Sequence, residues 1–191
     1  MFKVVVFLGN PGEEYRDTRH NVAWKLSECC TFLQQLSWVK KFKGVYAVQV
    51  FNGVRVYFLK PLTFMNRSGE SVQQLLHFFK ISPGELLVVC DDIELEFGHL
   101  DVKKGGTLGG HNGLKSIAQR LGTRDFYRFR IGISRPENEQ DVTPYVLGKF
   151  KPEEQEQLPI LIQKFAESLE TLLQKGNAST LKKLKNANLL A

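Results

Sequence analysis

The sequence is poor in the features that mark secreted, membrane-bound and zinc-binding proteins. It has three cysteines, Cys29, Cys30 and Cys90, and no Cys-x-x-Cys pair, so neither a disulfide framework nor a zinc site is indicated. No stretch approaches the roughly 20 apolar residues of a membrane span. The apolar run at residues 4–8 ends in Gly-Asn-Pro-Gly and is too short for a signal peptide. These absences predict a cytoplasmic protein with reduced thiols.

Two frequent catalytic motifs are also absent. The glycine-rich stretch at residues 105–113 lacks the Gly-Lys-Ser/Thr of a phosphate-binding P-loop, and no serine lies in Gly-x-Ser-x-Gly. Cys90 ends a run predicted to be a buried strand, where a thiol is unreactive. A covalent nucleophile is therefore disfavoured, and a water molecule activated by a histidine is the simpler chemistry.

The size and charge of the chain fit one basic domain. It has 191 residues, 42% of them hydrophobic, which is enough for one substantial core. Lys and Arg total 26 against 20 for Asp and Glu, so the net charge is 26 − 20 = +6. That balance fits a polyanionic partner and equally an ordinary solvated surface. Cations are concentrated in one part of the chain, at Lys103, Lys104, Lys115, Arg120, Arg124, Arg128 and Arg130.

Hydrophobic patterning predicts strands that alternate with helices. Asn52-Gly53 between two apolar runs is a strong hairpin signal, and Pro159 predicts a kink or a late start in the helix that follows Lys151. Strands are predicted at residues 4–8, 46–51, 54–59, 86–90 and 126–133. Helices are predicted at residues 19–36 and 177–188. Three further helices are predicted: one begins at residue 68, one follows the glycine-rich stretch and ends near residue 121, and one begins at about residue 152. The fold class is therefore α/β: a single domain over residues 1–191, a three-layer globule with a central mixed β-sheet flanked by helices.

Polar residues follow the predicted strands where α/β proteins usually place their sites. Asn10 follows the first strand, with His20 a short loop later, and Asp91 follows the strand at 86–90. His20 is the best candidate for a general base, and Asp91 could orient it. Taken alone, each of these residues is more often an ordinary turn or capping residue.

His111 leaves a second interpretation open. His20, Asp91 and His111 together could bind a metal ion as two histidines and one carboxylate. The glycine-rich stretch before His111 opens a helix, so its backbone amides could receive an anion or a developing oxyanion, or could simply form a tight turn.

Five motifs in order carry a resemblance to a known family. The first reads Phe7-Leu8-Gly9-Asn10-Pro11-Gly12 and ends in Thr18-Arg19-His20-Asn21; the second includes Phe64-Met65-Asn66; the third joins Asp91-Asp92 to Gly109-Gly110-His111-Asn112-Gly113; the others lie at residues 129–133 and 145–150. Together they resemble the bacterial-type peptidyl-tRNA hydrolases, which cleave the ester between a peptide and tRNA.

The resemblance implies a role for each matching residue. His20 would activate water, Asp91 would orient His20, and Asn10 would position the ester. Asn66 and Asn112 would hold the peptide backbone and the 3′ end of the tRNA. The remaining expected contacts are His111, Tyr15 and Met65 around the crevice, and Lys103 and Arg130 on tRNA phosphates.

The resemblance also implies properties of the whole protein. Its partner would be peptidyl-tRNA, bound by the acceptor stem, the 3′ end and the attached peptide. The protein would be a monomer with no cofactor, no metal ion and no membrane contact. The sequence departs from the family pattern at Cys90, Glu94 and Glu96. A second hypothesis, an RNA-binding module without activity, is disfavoured because Asn10, His20, Asp91 and Asn112 are all present.

Overall fold

The computed structural model describes residues 2–138 and 141–190. Met1 and Ala191, the ends of the predicted domain, lie outside the described residues. Among the described residues, no helix is long and apolar enough to cross a bilayer.

One mixed sheet runs through the molecule. The central strands are parallel to one another, and the flanking strands are antiparallel to their neighbours. The order across the sheet is β2-β3-β4-β1-β5-β7-β6-β8. The strands are β1 Val4–Phe7, β2 Val39–Lys41, β3 Gly44–Phe51, β4 Val54–Pro61, β5 Leu86–Asp92, β6 His99–Lys104, β7 Tyr127–Gly132 and β8 Ala187–Asn188.

Helices cover both faces of this sheet. They are α1 Val22–Cys29, α2 Thr31–Gln34, α3 Ser68–Phe79, α4 Asn112–Leu121, α5 Val142–Val146, α6 Pro152–Lys175 and α7 Ala178–Lys183. On β1, Val5 and Phe7 pack with α1 and α6, whereas Val4 and Val6 pack with α3 and α4. This alternation is what a strand buried on both faces requires, and it confirms the predicted three-layer α/β fold.

The hairpin and the central strands confirm the sequence prediction, but two predicted helices are wrong. The helix predicted at 19–36 is divided, because Cys30 adopts an extended conformation with ψ 106° between α1 and α2. Cys30, at the break, and Leu33, in α2, are both buried. The helix predicted at 177–188 ends with α7, and Asn186, with φ 51°, reverses the chain so that β8 pairs with β6.

Pro159 does not delay the long C-terminal helix. Helix α6 begins at Pro152 and continues through Pro159 to Lys175. A proline in the first position and a Glu154 side chain that accepts from the Lys151 backbone N–H define its start. The predicted late start is therefore wrong.

Candidate active site

The candidate site lies where β1 and β5 end. These strands are parallel neighbours, so their carboxyl ends reach the same edge of the sheet. Asn10 follows β1, and Asp91 is the second-last residue of β5. His20 lies in a 3-10 turn, Arg19–Asn21, and His111 is the N-cap of α4.

His20 and Asp91 form a buried pair at this edge. The Nδ1 atom of His20 lies 2.9 Å from each oxygen of the Asp91 carboxylate. Only 8% of His20 and 2% of Asp91 is exposed, so water screens their interaction weakly. Because Asp91 engages Nδ1, the neutral ring carries its proton there and keeps a lone pair on Nε2.

His111 contacts the same carboxylate through its other nitrogen. Its Nε2 lies 3.1 Å from Oδ1 of Asp91, and its Nδ1 accepts from the backbone N–H of Gly113 at 3.1 Å. Since Nδ1 accepts, the proton of neutral His111 is on Nε2 and is donated to Asp91. Leu114 N–H also points to Nδ1, at 3.4 Å. These two amides of α4 are therefore engaged by His111 and are not free for the predicted oxyanion contact.

The pair shifts the pKa values of both groups. Burial lowers the pKa of His20, but the charge and hydrogen bond of Asp91 outweigh burial, and the net pKa is raised. Burial raises the pKa of Asp91, but the two imidazoles outweigh it and hold that pKa well below its usual range. Asp91 is therefore a carboxylate at neutral pH.

Hydrogen bonds hold both the backbone of Asn10 and its side-chain oxygen. Its backbone N–H donates to Oδ1 of Asn21 at 2.8 Å, and its carbonyl accepts from Nδ2 of Asn21 at 2.9 Å. Its own Oδ1 accepts from the Met65 backbone N–H at 2.7 Å. These bonds orient the side chain, and its Nδ2 is left as the donor on a residue that lines the cavity.

A cavity of about 260 Å³ opens above these residues. Its polar lining includes Asn66 and Asn112, whose side chains are exposed. The apolar lining comes from four segments, and its members are Phe64, Met65, Ile93, Leu108, Val142, Val146 and Leu147. A few polar groups in a mainly apolar concave site are typical of a substrate pocket.

The structure brings seven of the ten predicted site residues to this cavity and leaves three outside its lining. The seven are Asn10, His20, Met65, Asn66, Asp91, His111 and Asn112. Tyr15 lies beside it, with its ring centroid 6.3 Å from that of Phe64. Lys103 is exposed on β6, opposite Arg128 of β7.

Arg130 is less available than the sequence suggested. Its Nε donates to Asp92 at 2.7 Å and its Nη1 to Asp101 at 2.6 Å. A contact with a tRNA phosphate would require Arg130 to exchange one of these carboxylates. Arg128, also counted among the basic residues, is buried and donates to the carbonyls of Gly105 and Thr107. It therefore shapes the glycine-rich loop instead of a basic surface.

Some residues that line or support the cavity are not predicted from the sequence. Asn21 clamps Asn10, and α5 forms one wall of the cavity. Asn21 lies inside the first motif, but the sequence does not indicate that its side chain binds the backbone of Asn10. The wall formed by α5 depends on contacts between residues more than 100 positions apart, which periodicity does not reveal.

The metal interpretation has a geometric basis. One nitrogen from each of His20 and His111 and one oxygen of Asp91 lie within 4.8 Å of one another. The hydrogen bonds described above pair Nδ1 of His20 and Nε2 of His111 with the same carboxylate. Both arrangements use the same three side chains, so a chelator separates them.

Comparison with known proteins gives a consistent family. A family model described as peptidyl-tRNA hydrolase matches residues 4–190. A peptidyl-tRNA hydrolase of Gloeobacter violaceus is 44% identical over 176 residues, covering 91% of this chain and 89% of that protein. One of Geotalea daltonii is 41% identical over 189 residues, covering 98% of each. The crystal structure of peptidyl-tRNA hydrolase from Acinetobacter baumannii superimposes with a TM-score of 0.87 at 33% identity, covering 100% of this chain and 97% of that one.

Proposed function

The chain belongs to the peptidyl-tRNA hydrolase family, and from this premise we propose that it hydrolyses peptidyl-tRNA with His20 as the base that activates water. The observation that carries the mechanism is the buried His20–Asp91 pair at the floor of the cavity. Its substrate is the ester that joins the carboxyl carbon of a peptide to a ribose oxygen at the tRNA 3′ end. The products are the free peptide and the free tRNA.

The reaction needs one proton to move through His20. Nε2 of His20 takes a proton from water while the water oxygen attacks the ester carbonyl carbon. The tetrahedral intermediate then collapses, the bond to the ribose oxygen breaks, and that oxygen takes the proton from Nε2. Asp91 stabilises the imidazolium formed in between, because the pair changes from a net charge of −1 to zero at a buried site.

The amides around the cavity position the substrate. Nδ2 of Asn10 donates towards the ester, and Asn66 and Asn112 hold the peptide backbone and the 3′ end of the tRNA. An uncharged amide both donates and accepts, so it grips a peptide backbone without depending on the side chains. His111 supports Asp91 and the start of α4, and Met65 and Tyr15 provide apolar surface for the substrate.

The proposed tRNA contacts outside the cavity are made by cations. Lys103 meets a tRNA phosphate, and Arg130 does so if it exchanges one of its two carboxylates. Phosphate contacts of this kind position a nucleic acid without reading its sequence. We propose that the protein works in the cytoplasm as a monomer, since every residue of the proposed reaction comes from one chain.

A release assay tests the proposal. The substrate is tRNA that carries a labelled N-acetyl-aminoacyl group, and unblocked aminoacyl-tRNA is the control substrate. We expect release by the wild type, and His20→Ala should lower turnover by on the order of 10²–10⁴-fold, which is the usual contribution of a general base. His77→Ala is the matched control variant, because His77 is exposed at the end of α3, away from the cavity.

The alternatives predict different results in the same assay. Folded wild type that binds tRNA and releases nothing would be an RNA-binding module. Loss of activity with a chelator, restored by zinc, would establish the metal-dependent hydrolase. Under the proposed mechanism the chelator leaves the rate unchanged, and His20→Ala binds tRNA as well as the wild type does.

A further inference from the structure

The residue before the proposed base, Arg19, is buried and connects two parts of the active site. Only 4% of Arg19 is exposed, although it carries a permanent charge. It belongs to the same 3-10 turn as His20, but its side chain contacts the end of α5 and the residues that follow, whereas the side chain of His20 contacts Asp91. A buried guanidinium is costly unless every partner is well placed, so its contacts indicate what the position does.

The guanidinium of Arg19 contacts four residues at the end of α5 and after it. Nη1 donates to the carbonyl of Lys149 at 2.5 Å and to that of Tyr145 at 3.4 Å. Nη2 donates to Oε2 of Glu154 at 2.9 Å. The charged carbon also lies 4.0 Å above the ring of Tyr145 and 5.3 Å from that of Phe150, which are cation–π distances.

The backbone fastens the same two segments together. The N–H of Arg19 donates to the carbonyl of Gly148 at 3.0 Å, and Thr18 forms a β-bridge with Lys149. The Glu154 oxygen that receives Arg19 also accepts from the Lys151 N–H at the start of α6. One side chain therefore joins the turn of His20, the end of α5 and the start of α6.

The joined segment is the wall of the cavity. Val142, Thr143, Val146 and Leu147 all line it, and all lie within or directly after α5. α5 has only five residues and none of them is buried, so packing alone fixes it weakly. The Arg19 contacts join this wall to the turn of the base, and the Tyr145 hydroxyl holds the same helix by donating to the carbonyl of Ile133 at 2.5 Å.

We propose that Arg19 is a positioning residue, which with Glu154 holds the α5 wall at a fixed distance from His20 and so sets the affinity for substrate. This inference rests on the proposed function, because the wall must receive part of the peptidyl-tRNA. The contacts of His20 with Asp91 do not pass through Arg19. Loosening the wall therefore weakens substrate binding before it affects the chemical step.

Two variants test this proposal. Arg19→Lys keeps the charge but loses the planar fork that serves two carbonyls and a carboxylate together. Glu154→Gln keeps an oxygen for the α6 cap and removes the ion pair. We expect each to raise KM, by about tenfold for Arg19→Lys, with kcat changed less than about threefold, the pattern of lost binding. Hydrogen exchange of the amides at residues 142–149 should be faster in both variants without substrate.

The control variant changes another glutamate that, like Glu154, caps a helical turn and forms an ion pair. Glu85 also caps a helical turn, accepting from the Ser82 N–H at 3.2 Å, and pairs with Lys3 at 2.7 Å. It does not line the cavity, so Glu85→Gln should leave KM and the exchange of residues 142–149 unchanged. A general loss of folded protein lowers the apparent kcat and not KM, which distinguishes it from the proposed role.

The outcomes separate this inference from the proposed function. Unchanged KM and unchanged exchange in Arg19→Lys and Glu154→Gln, with an active wild type, would overturn the positioning role alone. A fall in kcat at constant KM would also overturn it. If hydrogen exchange is faster in both variants but the wild type releases no peptide, the positioning role of Arg19 is supported and the hydrolase function is refuted.

Discussion

Asp91 is a single side chain that sets the proton positions of two histidines. Nδ1 of His20 and Nε2 of His111 both meet its carboxylate, so each neutral ring has one possible tautomer. Only His20 then has an unprotonated nitrogen free for a proton from water, because Nδ1 of His111 accepts from the N–H of Gly113. The two histidines share a partner and differ in role.

The raised pKa of His20 predicts a pH dependence of the rate. A general base works in its neutral form, so kcat/KM should rise with pH and level off above a pKa higher than the ordinary 6.5. In Asp91→Asn the charge that raises this pKa is gone while burial still lowers it. The acid limb should therefore move to lower pH, and the plateau should fall by on the order of 10²-fold or more.

The measurement is kcat/KM for release of the N-acetyl-aminoacyl group, with spontaneous ester hydrolysis subtracted. It covers about pH 5 to 9, the range in which histidine titrates. Asn112→Asp serves as a comparison that adds a carboxylate at the rim and leaves the His20–Asp91 pair intact. An acid limb that stays in place in Asp91→Asn would mean that another group titrates.

At the level of single residues, the sequence predicts residues that the structure brings to one cavity, and it misses part of their support. His20, Asp91 and Asn10 were predicted because motifs in order constrain one another. Asn21 was not, because its partner is a backbone that becomes adjacent only after the turn forms. Arg130 was assigned to phosphate since a cation in a sequence does not display the carboxylates that will flank it.

Among the elements, those with strong local signals were predicted and the marginal ones were not. β1 and β5 are continuous apolar runs, and the β3–β4 hairpin has Asn52-Gly53, which adopts the positive φ values of a tight turn. β6 reads His99-Leu-Asp-Val-Lys-Lys and exists because β7 pairs with it. The break at Cys30 and the pairing of β8 likewise depend on tertiary contacts.

The β5–β6 loop shows how the structure accommodates departures from the family pattern. Oδ1 of Asp92 accepts from the Glu94 N–H at 2.8 Å, and Oγ of Ser134 accepts from the Phe97 N–H at 2.9 Å. The carboxylate of Glu94 pairs with Arg135, which offsets the negative charge that it adds. Cys90 is fully buried, and burial raises its pKa well above the usual range, so its thiol is inert.

The crossing of α3 and α4 depends on a glycine. A Cβ at Gly69 would lie 2.2 Å from the backbone oxygen of Ser116, and the Gly69 N–H donates to Oγ of Ser116 at 3.0 Å. Alanine is the better helix former by about 1 kcal/mol, yet here Gly69→Ala must push the helices apart. We expect it to lower the free energy of unfolding by about 1–3 kcal/mol, the usual cost of overpacking.

Urea denaturation measures this loss, and Gly84→Ala is the matched control. Gly84 has open space where a Cβ would lie and no positive φ, so its substitution should stay within about 0.5 kcal/mol of the wild type. Equal stability of the two variants would show that α3 and α4 can separate without cost.

At the scale of the whole molecule, the net charge is +6, and its effect on tRNA binding depends on where the cations lie. Lys103 is exposed beside the glycine-rich loop, with its Cε 3.2 Å from the place of a Cβ on Gly106. Lys182 is exposed on α7, which contacts α6. The two positions carry the same charge on different elements, Lys103 on β6 and Lys182 on α7.

Lys103→Ala should weaken tRNA binding and reduce its salt dependence. Losing one phosphate contact lowers the slope of log K against log salt by about 0.9. The measurement is tRNA affinity at several salt concentrations, with Lys182→Ala as the control of equal charge, for which the slope should stay unchanged. A slope that Lys103→Ala leaves unaltered would remove this lysine from the interface.

The carboxamides of Asn10, Asn66 and Asn112 have a consequence for tRNA supply. They carry no net charge, so under the proposed function these three side chains would contact the backbone of an acidic peptide and of a basic one alike. Stalled tRNAs that carry different peptides should then be cleared in proportion to their abundance. Each tRNA species would then be recycled at a rate set by how often it stalls. No single peptide composition would keep one tRNA species sequestered as peptidyl-tRNA.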